Sequence, residues 1–435
     1  MKINKQENLL RTIGVFGLSS NIVNIIIGSG IFVLPAIVAA GMGASGVFAY
    51  LFCGILIALI MLCFAEVGSK ITITGGLYTY IETAFGKYAG FLSGNLYLAA
   101  TLMADAAVSN ALVNILAAAF PVFETEVIRL LFLFVIFFGL AFINILGVRQ
   151  GVRLIKFLVI AKILPLLLLI VLGLPKISMA NISIETFSGF EQLGATSLIL
   201  FFAFIGGETG LNLSGEVKKP NINIPKSVFI GIIAVLFIYI LIQLVAQGVL
   251  GDALADHKAP LAETARKVFG STGFFILTAG AAVSMFGYLS GAILNMPRIL
   301  YALSRDRVIP VKAFGNIHSK FKTPHMAILA YACAGFILAA LGSFEKLAVI
   351  ATGGILLQYL GVSLAVIKLR YTQKSKPGEF KIPGGFTVPL LSAGIIIYFL
   401  SKMTYVEAVG TLVFTILLTI VYLISIKITK HKGDV

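Results

Sequence analysis

The chain has 435 residues, of which 59% are apolar and only 12% charged. So little charge cannot cover the surface of a soluble domain, and a mean hydropathy of +1.03 belongs to a chain that spends most of its length in a bilayer. A net charge of +15 would suggest a nucleic-acid partner in a soluble protein; here the basic residues alternate with apolar runs, which sets topology and leaves no place for nucleic acid.

A bilayer crossing takes about 20 apolar residues, and the sequence predicts twelve. They run Gly14–Ala40, Gly46–Gly68, Tyr88–Phe120, Val127–Leu146, Val152–Leu174 and Leu193–Leu213 in the first half. Ser227–Leu250, Gly273–Leu303, Met326–Leu341, Leu347–Leu369, Val388–Leu400 and Ala408–Ile426 follow. The first is too long for a signal peptide, has no small-residue cleavage site, and is followed at once by further spans. Between spans 2 and 3, Thr74–Gly86 carries tyrosines on one helical face and reads as an interfacial or re-entrant helix. Pro220 and Pro225 read as loop punctuation after span 6. The expected fold class is all-α and integral to the membrane, a single transporter domain over residues 1–435 with no soluble domain of any size.

Threading the basic residues onto these spans puts 25 of the 33 on one side, seven on the other and Lys162 inside span 5. The positive-inside rule then places both termini in the cytoplasm and the protein in the cytoplasmic membrane, with lipid as its surroundings. Cys53, Cys63 and Cys333 lie in apolar spans, without the spacing of a disulfide framework or a metal site. No metal, cofactor or catalytic cluster is expected, so the chain does not read as an enzyme. Nothing in the sequence marks a partner subunit.

Two spans look interrupted. Span 1 contains Gly28, Ser29 and Gly30 near mid-membrane, and span 6 contains Gly206 and Gly207 at a similar depth. Either cluster alone could serve close helix packing. Glycine-interrupted spans at the first and sixth positions, however, are corresponding positions of two five-helix inverted repeats, and point to a midplane binding site. Unwinding at Gly28–Gly30 would free N–H groups at the positive end of a half-helix, with the Ser29 hydroxyl beside them, which suits a carboxylate. Unwinding at Gly206–Gly207 would leave carbonyls near Phe202 and Ile205 free to accept an ammonium. A small zwitterion matches both.

Three ionisable residues lie deep in spans. Lys162 is roughly ten residues into its span, about 15 Å at helical rise, where a lysine costs several kcal/mol unless paired or facing a cavity. It reads as a tethered cation able to exchange a proton during a cycle, against a lysine snorkelling to the interface. Glu208 either takes protons or braces the break it follows. Asp105, midway along span 3, faces a bound side chain or holds a proton. Glu66 reads as interfacial.

Several segments carry a resemblance: GSGIFVLP in span 1, GGLYTYIETAFGKYAGFLSG before span 3, and FFAFIGGE with GEVKKPNINIP at span 6. RILYALSRDRVIP, a following KTP, and KPGEFKIPGGFTVPLL before span 11 complete the set. In number, order and spacing they make the chain similar to the amino acid–polyamine–organocation superfamily over nearly its whole length. The resemblance implies a five-plus-five inverted repeat, helices 1–5 over about 14–174 and 6–10 over about 193–370. Helices 1 and 6 would be broken, and two extra C-terminal helices would cover about 386–427.

It also implies carboxylate contacts at Ser29 and Gly30 beside Gly28, and amino contacts on the carbonyls of Ile26, Phe202 and Ile205 next to Gly206. The side-chain pocket would fall on Ala100, Thr101, Asp105, Phe202 and Ala292. Lys162 resembles the helix 5 lysine of sodium-independent carriers and would occupy the place a bound sodium takes in related transporters. The implied function is secondary transport of small to medium neutral L-amino acids by alternating access, as proton symport or exchange, with Lys162 and Glu208 as coupling residues. A cationic amino acid or polyamine antiporter is the alternative. Asp105 favours that alternative, and the absence of any tryptophan to stack on a cation disfavours it.

Overall fold

The computed structural model describes residues 9–184, 189–257, 259–306, 309, 311–341, 344–373, 376–401, 409–410, 412–413, 415–420 and 422–423. Among them there is no strand, only one isolated β-bridge between Ile13 and Val217. The first predicted span is two helices, α1 (Val15–Ile26) and α2 (Gly30–Met42). Spans 2 to 5 are α3 (Val47–Lys70), α5 (Lys87–Ala119), α6 (Glu126–Ile145) and α7 (Val148–Gly173), with α4 (Gly76–Phe85) lying between α3 and α5 as the separate short helix expected there. A one-turn α8 (Met179–Ile182) precedes α9 (Phe190–Phe201), which ends where span 6 breaks and continues in 3₁₀ geometry over Phe202–Phe204 and Gly207–Glu216. Next come α10 (Pro220–Leu250), α11 (Pro260–Asn295), α12 (Pro297–Arg305), α13 (His325–Leu341), α14 (Phe344–Thr372) and α15 (Thr387–Leu400).

Seven stretches of the described residues are long and apolar enough to cross a membrane, and α1, α13 and α15 are shorter apolar helices. Of the expected twelfth span, the described residues between 409 and 423 are helical, while Ala408 and 424–426 lie outside the described residues.

One expectation needs correction. Pro220 and Pro225 are not loop residues. Pro220 opens α10 at its first position, where its missing N–H would have had no partner, and Pro225 lies within the early turns. Span 8 starts close to the expected Gly273: α11 begins at Pro260, but non-helical backbone at Phe269 (φ −142°, ψ 30°) and Gly270 (φ 76°, ψ −166°) divides it, and the apolar stretch follows that break. Proline at the first helical position again opens that helix.

The packing puts the two broken spans at the centre. Every residue of α1 from Gly17 to Ile26 is buried, whereas α6 and α7 expose Phe134, Val135, Phe157 and Ile160 as outer helices do toward lipid. At the basic end, the bridge holds the N-terminal segment against the end of span 6. The Thr12 and Ile13 N–H groups donate to the Glu216 carbonyl, and the Lys218 N–H donates to that of Ile13.

Buried ion pairs tie the same end together. Arg298 and Glu216 meet at 2.9 Å, and Arg370 joins Glu66, which also lies 3.4 Å from Lys70. Glu66, near the end of α3, is thus buried and fully paired. Deeper, Asn21 donates to Asn295 at 2.7 Å and Asn295 to Thr209 at 3.2 Å, which crosslinks α1, α11 and the second half of span 6.

Candidate functional site

The break in span 1 is a tight reverse turn. Ile27 has φ −76° and ψ 77°, and the Gly28 N–H donates to the Ile26 carbonyl at 2.8 Å, the form of an inverse γ-turn. Beyond it α2 starts afresh at Gly30, so its first N–H groups have no acceptor within the helix. Glycine is needed at Gly30 for close approach: a Cβ there would stand 3.2 Å from Ala203 Cβ and 3.3 Å from Ala203 Cα. The break in span 6 centres on Gly206, held at φ 108°, where an added Cβ would also stand 2.6 Å from Ile25. That is left-handed backbone in which glycine alone is at ease.

Lys162 sits behind the first break with no exposure. Its Nζ donates to the carbonyls of Ile27 at 2.6 Å, Asn24 at 2.9 Å and Ser284 at 3.2 Å. Three ammonium protons thus meet three carbonyl oxygens, two of them freed by the unwinding of α1. Among the described residues no carboxylate pairs with it. The Ser284 hydroxyl lies 2.9 Å from the carbonyls of both Ile27 and Gly28, donating to one at a time.

Glu208 is the counterpart at the second break. Its carboxylate accepts from the Tyr97 hydroxyl at 2.8 Å, the Tyr359 hydroxyl at 2.6 Å and the Gly206 N–H at 3.0 Å. The Tyr239 hydroxyl, 3.0 Å from the carbonyls of both Ile26 and Ala203, bridges the two breaks.

A cavity of about 80 Å³ lies between the breaks. Of the residues predicted to form the site, Ile26, Gly28, Ser29, Gly30, Thr101, Ile205, Gly206 and Glu208 line it. Ala100, Asp105 and Ala292 do not, and the side chain of Phe202 lies outside what is described. Asp105 is buried behind the wall, accepting from the Tyr331 hydroxyl at 2.7 Å, with Tyr288 of the cavity wall as an electrostatic neighbour. Small side chains at Ala104, Ala107 and Ala203 face the space, so it is narrow and mostly apolar, with polar groups only at the two breaks and at Thr101, Thr209 and Tyr288.

The sequence reading missed Tyr97, Tyr239, Ser284, Tyr288 and Tyr359. A signal existed for the tyrosines that serve Glu208: a carboxylate placed mid-membrane requires buried donors, and tyrosine supplies one from an otherwise apolar body. Nothing local distinguishes Ser284 from the other serines of the spans.

Comparison with known proteins identifies the family. A family model described as amino acid permease matches residues 11–428. The chain is similar to the serine/threonine exchanger SteT of Bacillus subtilis, at 30% identity over 89% of this chain and 90% of that one. It is similar to the methylthioribose transporter of the same organism, at 27% identity over 94% of each chain. It is also similar to cationic amino acid transporter 4 of Mus musculus, at 26% identity over 86% of this chain and 62% of that protein. The family match takes in every described helix. The chain therefore belongs to the amino acid permease family, among the multi-pass membrane transporters of the amino acid–polyamine–organocation superfamily.

Proposed function

We propose that the chain carries small neutral L-amino acids across the cytoplasmic membrane by alternating access, with the basic face and both termini in the cytoplasm and residues 1–435 acting as one membrane domain. The observation that carries this reading is the opposition of the two breaks. The N-terminal end of α2, at Ser29 and Gly30, faces the Gly206 turn across a cavity of about 80 Å³. Free N–H groups at a positive helix end suit the carboxylate. The carbonyls of Phe202 and Ile205 suit the ammonium.

The Ile26 carbonyl already accepts from the Gly28 N–H and lies 3.0 Å from the Tyr239 hydroxyl. It joins the ammonium site when that hydroxyl donates to Ala203 instead. A cavity this narrow, walled by alanines, favours substrates with side chains of one to a few heavy atoms.

The similarity to the methylthioribose transporter supports a second reading, transport of an uncharged sugar-like metabolite. Such a molecule has neither carboxylate nor ammonium and would leave both break ends unmatched. Uptake into proteoliposomes separates the two readings. Labelled serine, alanine, leucine, arginine, putrescine and methylthioribose are each offered with and without internal amino acid and with and without an inward proton gradient. Saturable uptake of serine and alanine supports the proposal; no amino acid uptake, with methylthioribose alone accumulated, overturns it. Dependence on internal amino acid makes the cycle an exchange, and uptake into empty vesicles driven by the gradient makes it proton symport.

Two substitutions follow. Gly206→Val is expected to abolish serine binding in scintillation proximity while the protein still elutes as one species. Its left-handed backbone costs a branched residue about 1–2 kcal/mol before the collision with Ile25 is added. Unchanged affinity would remove the second break from the site.

Asp105→Asn is expected to leave the ratio of serine to arginine uptake unchanged to within about threefold, or about 0.6 kcal/mol, since Asp105 does not line the cavity and Tyr331 can still donate to the amide oxygen. A switch toward neutral substrates would instead place Asp105 in contact with the cargo.

A further inference from the structure

A second cavity, of about 310 Å³, opens at the basic end where the start of α1 meets the start of α7. Arg149, Arg153, Lys156 and Lys218 line it together with Thr12. Arg149, Arg153 and Lys218 are exposed, and the Lys156 Nζ lies 5.1 Å from the Phe16 ring centre. Among the described residues none of the four cations is in an ion pair.

Other observations add to the positive potential. The cavity lies at the N-terminal ends of α1 and α7, and neither helix has a side-chain cap or an acidic residue in its first turn. Both ends are therefore bare positive dipole ends. The Thr12 hydroxyl oxygen, on the cavity wall, is buried with no hydrogen-bond partner.

The surroundings say what kind of anion belongs there. Arg149, Arg153, Phe157, Ile160 and Leu164 follow one another at helical spacing along one face of α7. The last three are 67%, 62% and 55% exposed, on the outside of the bundle where acyl chains run. Phe16 of α1, also 67% exposed, extends the same apolar surface beside Lys156. A charged head at the basic cluster thus continues directly into an apolar track directed into the bilayer. We propose that this cavity is a binding site for the phosphate of an anionic phospholipid, with the acyl chains lying along Phe157, Ile160 and Leu164.

Bound there, the single negative charge of the phosphodiester offsets part of the mutual repulsion of four cations contributed by α7 and by the segment after span 6. It also ties both to the Thr12–Gly17 turn that begins α1. It thereby reinforces the bridge between Ile13 and Val217 that closes the basic end.

Native mass spectrometry of the delipidated full chain tests this without any transport assay, using phosphatidylglycerol, phosphatidylcholine of the same chains, and inorganic phosphate as probes. Phosphatidylglycerol is expected to be retained in preference to phosphatidylcholine. The double variant Arg149→Gln/Arg153→Gln is expected to weaken its retention about thirtyfold, at about fivefold for each charge removed at a membrane surface. Both arginines are exposed, so the fold should not depend on them. The charge-matched control Lys312→Gln/Lys320→Gln, elsewhere on the basic end, is expected to retain the lipid as the unmodified chain does.

Equal retention of the two lipids, or undiminished retention of phosphatidylglycerol by the arginine variant, overturns the proposal. Displacement of the lipid by inorganic phosphate also overturns it, since that would make the cavity a site for free anions.

Discussion

Lys162→Met is expected to slow amino acid transport about a hundredfold while leaving the amount of folded protein in the membrane unchanged. Methionine fills nearly the same volume and is at home in an apolar span, so packing against α1 and α11 survives. What is lost is the donor to three carbonyls, of which Ile27 lies at 2.6 Å and Asn24 at 2.9 Å. The Ser284 hydroxyl can still serve Ile27 or Gly28, but among the described residues no other side chain reaches the Asn24 carbonyl. Hydrogen bonds to a charged group are worth about 1.5–3 kcal/mol each. Losing the two that hold the turn amounts to about 3 kcal/mol, or roughly two orders of magnitude in rate.

Initial rates in proteoliposomes, normalised to reconstituted protein, measure the effect. A rate equal to that of the unmodified chain would reduce the lysine to a space-filling group. The pH profile of the residual activity carries further information. If Lys162 is a fixed cation, the variant keeps the profile of the unmodified chain. If it exchanges a proton during the cycle, the profile flattens.

The sequence exposed the parts of this molecule that follow from composition and from glycine. Long apolar runs give helices because a bilayer leaves backbone groups no other partner, and the breaks were visible as Gly28–Ser29–Gly30 and Gly206–Gly207 because backbone leaving a helix under close packing needs residues without a Cβ. Lys162 was visible because a charge at that depth demands an explanation. The groups that hold the breaks were not visible. Tyr239 and Ser284 act across distances of more than 200 residues in sequence, and buried hydroxyls are common enough in spans that only the fold shows which of them meets an orphan carbonyl.

Asp105 shows the opposite failure. Its depth in span 3 suggested the pocket, yet depth does not determine which way a helical side chain points, and it is Thr101 and Ala104 of the same helix that reach the cavity. The prolines at 220 and 225 were misread because a proline at a helix start and a proline in a loop look alike from sequence alone.

Glu208→Gln and Glu208→Ala are expected to differ widely, and the difference tells what the carboxylate does. Three donors converge on it: the Tyr97 hydroxyl, the Tyr359 hydroxyl and the Gly206 N–H. In the glutamine variant the amide oxygen can take the Gly206 N–H and Tyr359, and the Tyr97 hydroxyl can rotate to accept from the amide nitrogen. Only the extra strength of bonds to an ionised acceptor is lost, which amounts to about tenfold in substrate affinity. In the alanine variant all three donors are left bare in a dry interior at about 1–3 kcal/mol each, so affinity should fall by about a thousandfold or the Gly206 turn should collapse.

A bracing carboxylate therefore makes glutamine far milder than alanine, and makes both equally insensitive to a proton gradient. A carboxylate that carries the coupling proton reverses the pattern. Glutamine, which cannot release a proton, would then abolish gradient-driven uptake as completely as alanine while still exchanging internal for external substrate. The hydrogen bonds favour the brace. The bond from the Gly206 N–H ties the acid to the very turn it follows, and Oε2 already accepts two bonds at 2.6 and 3.0 Å, so any coupling proton would have to sit on Oε1 beside the Tyr97 hydroxyl. Measuring exchange and gradient-driven uptake side by side in the two variants decides between them.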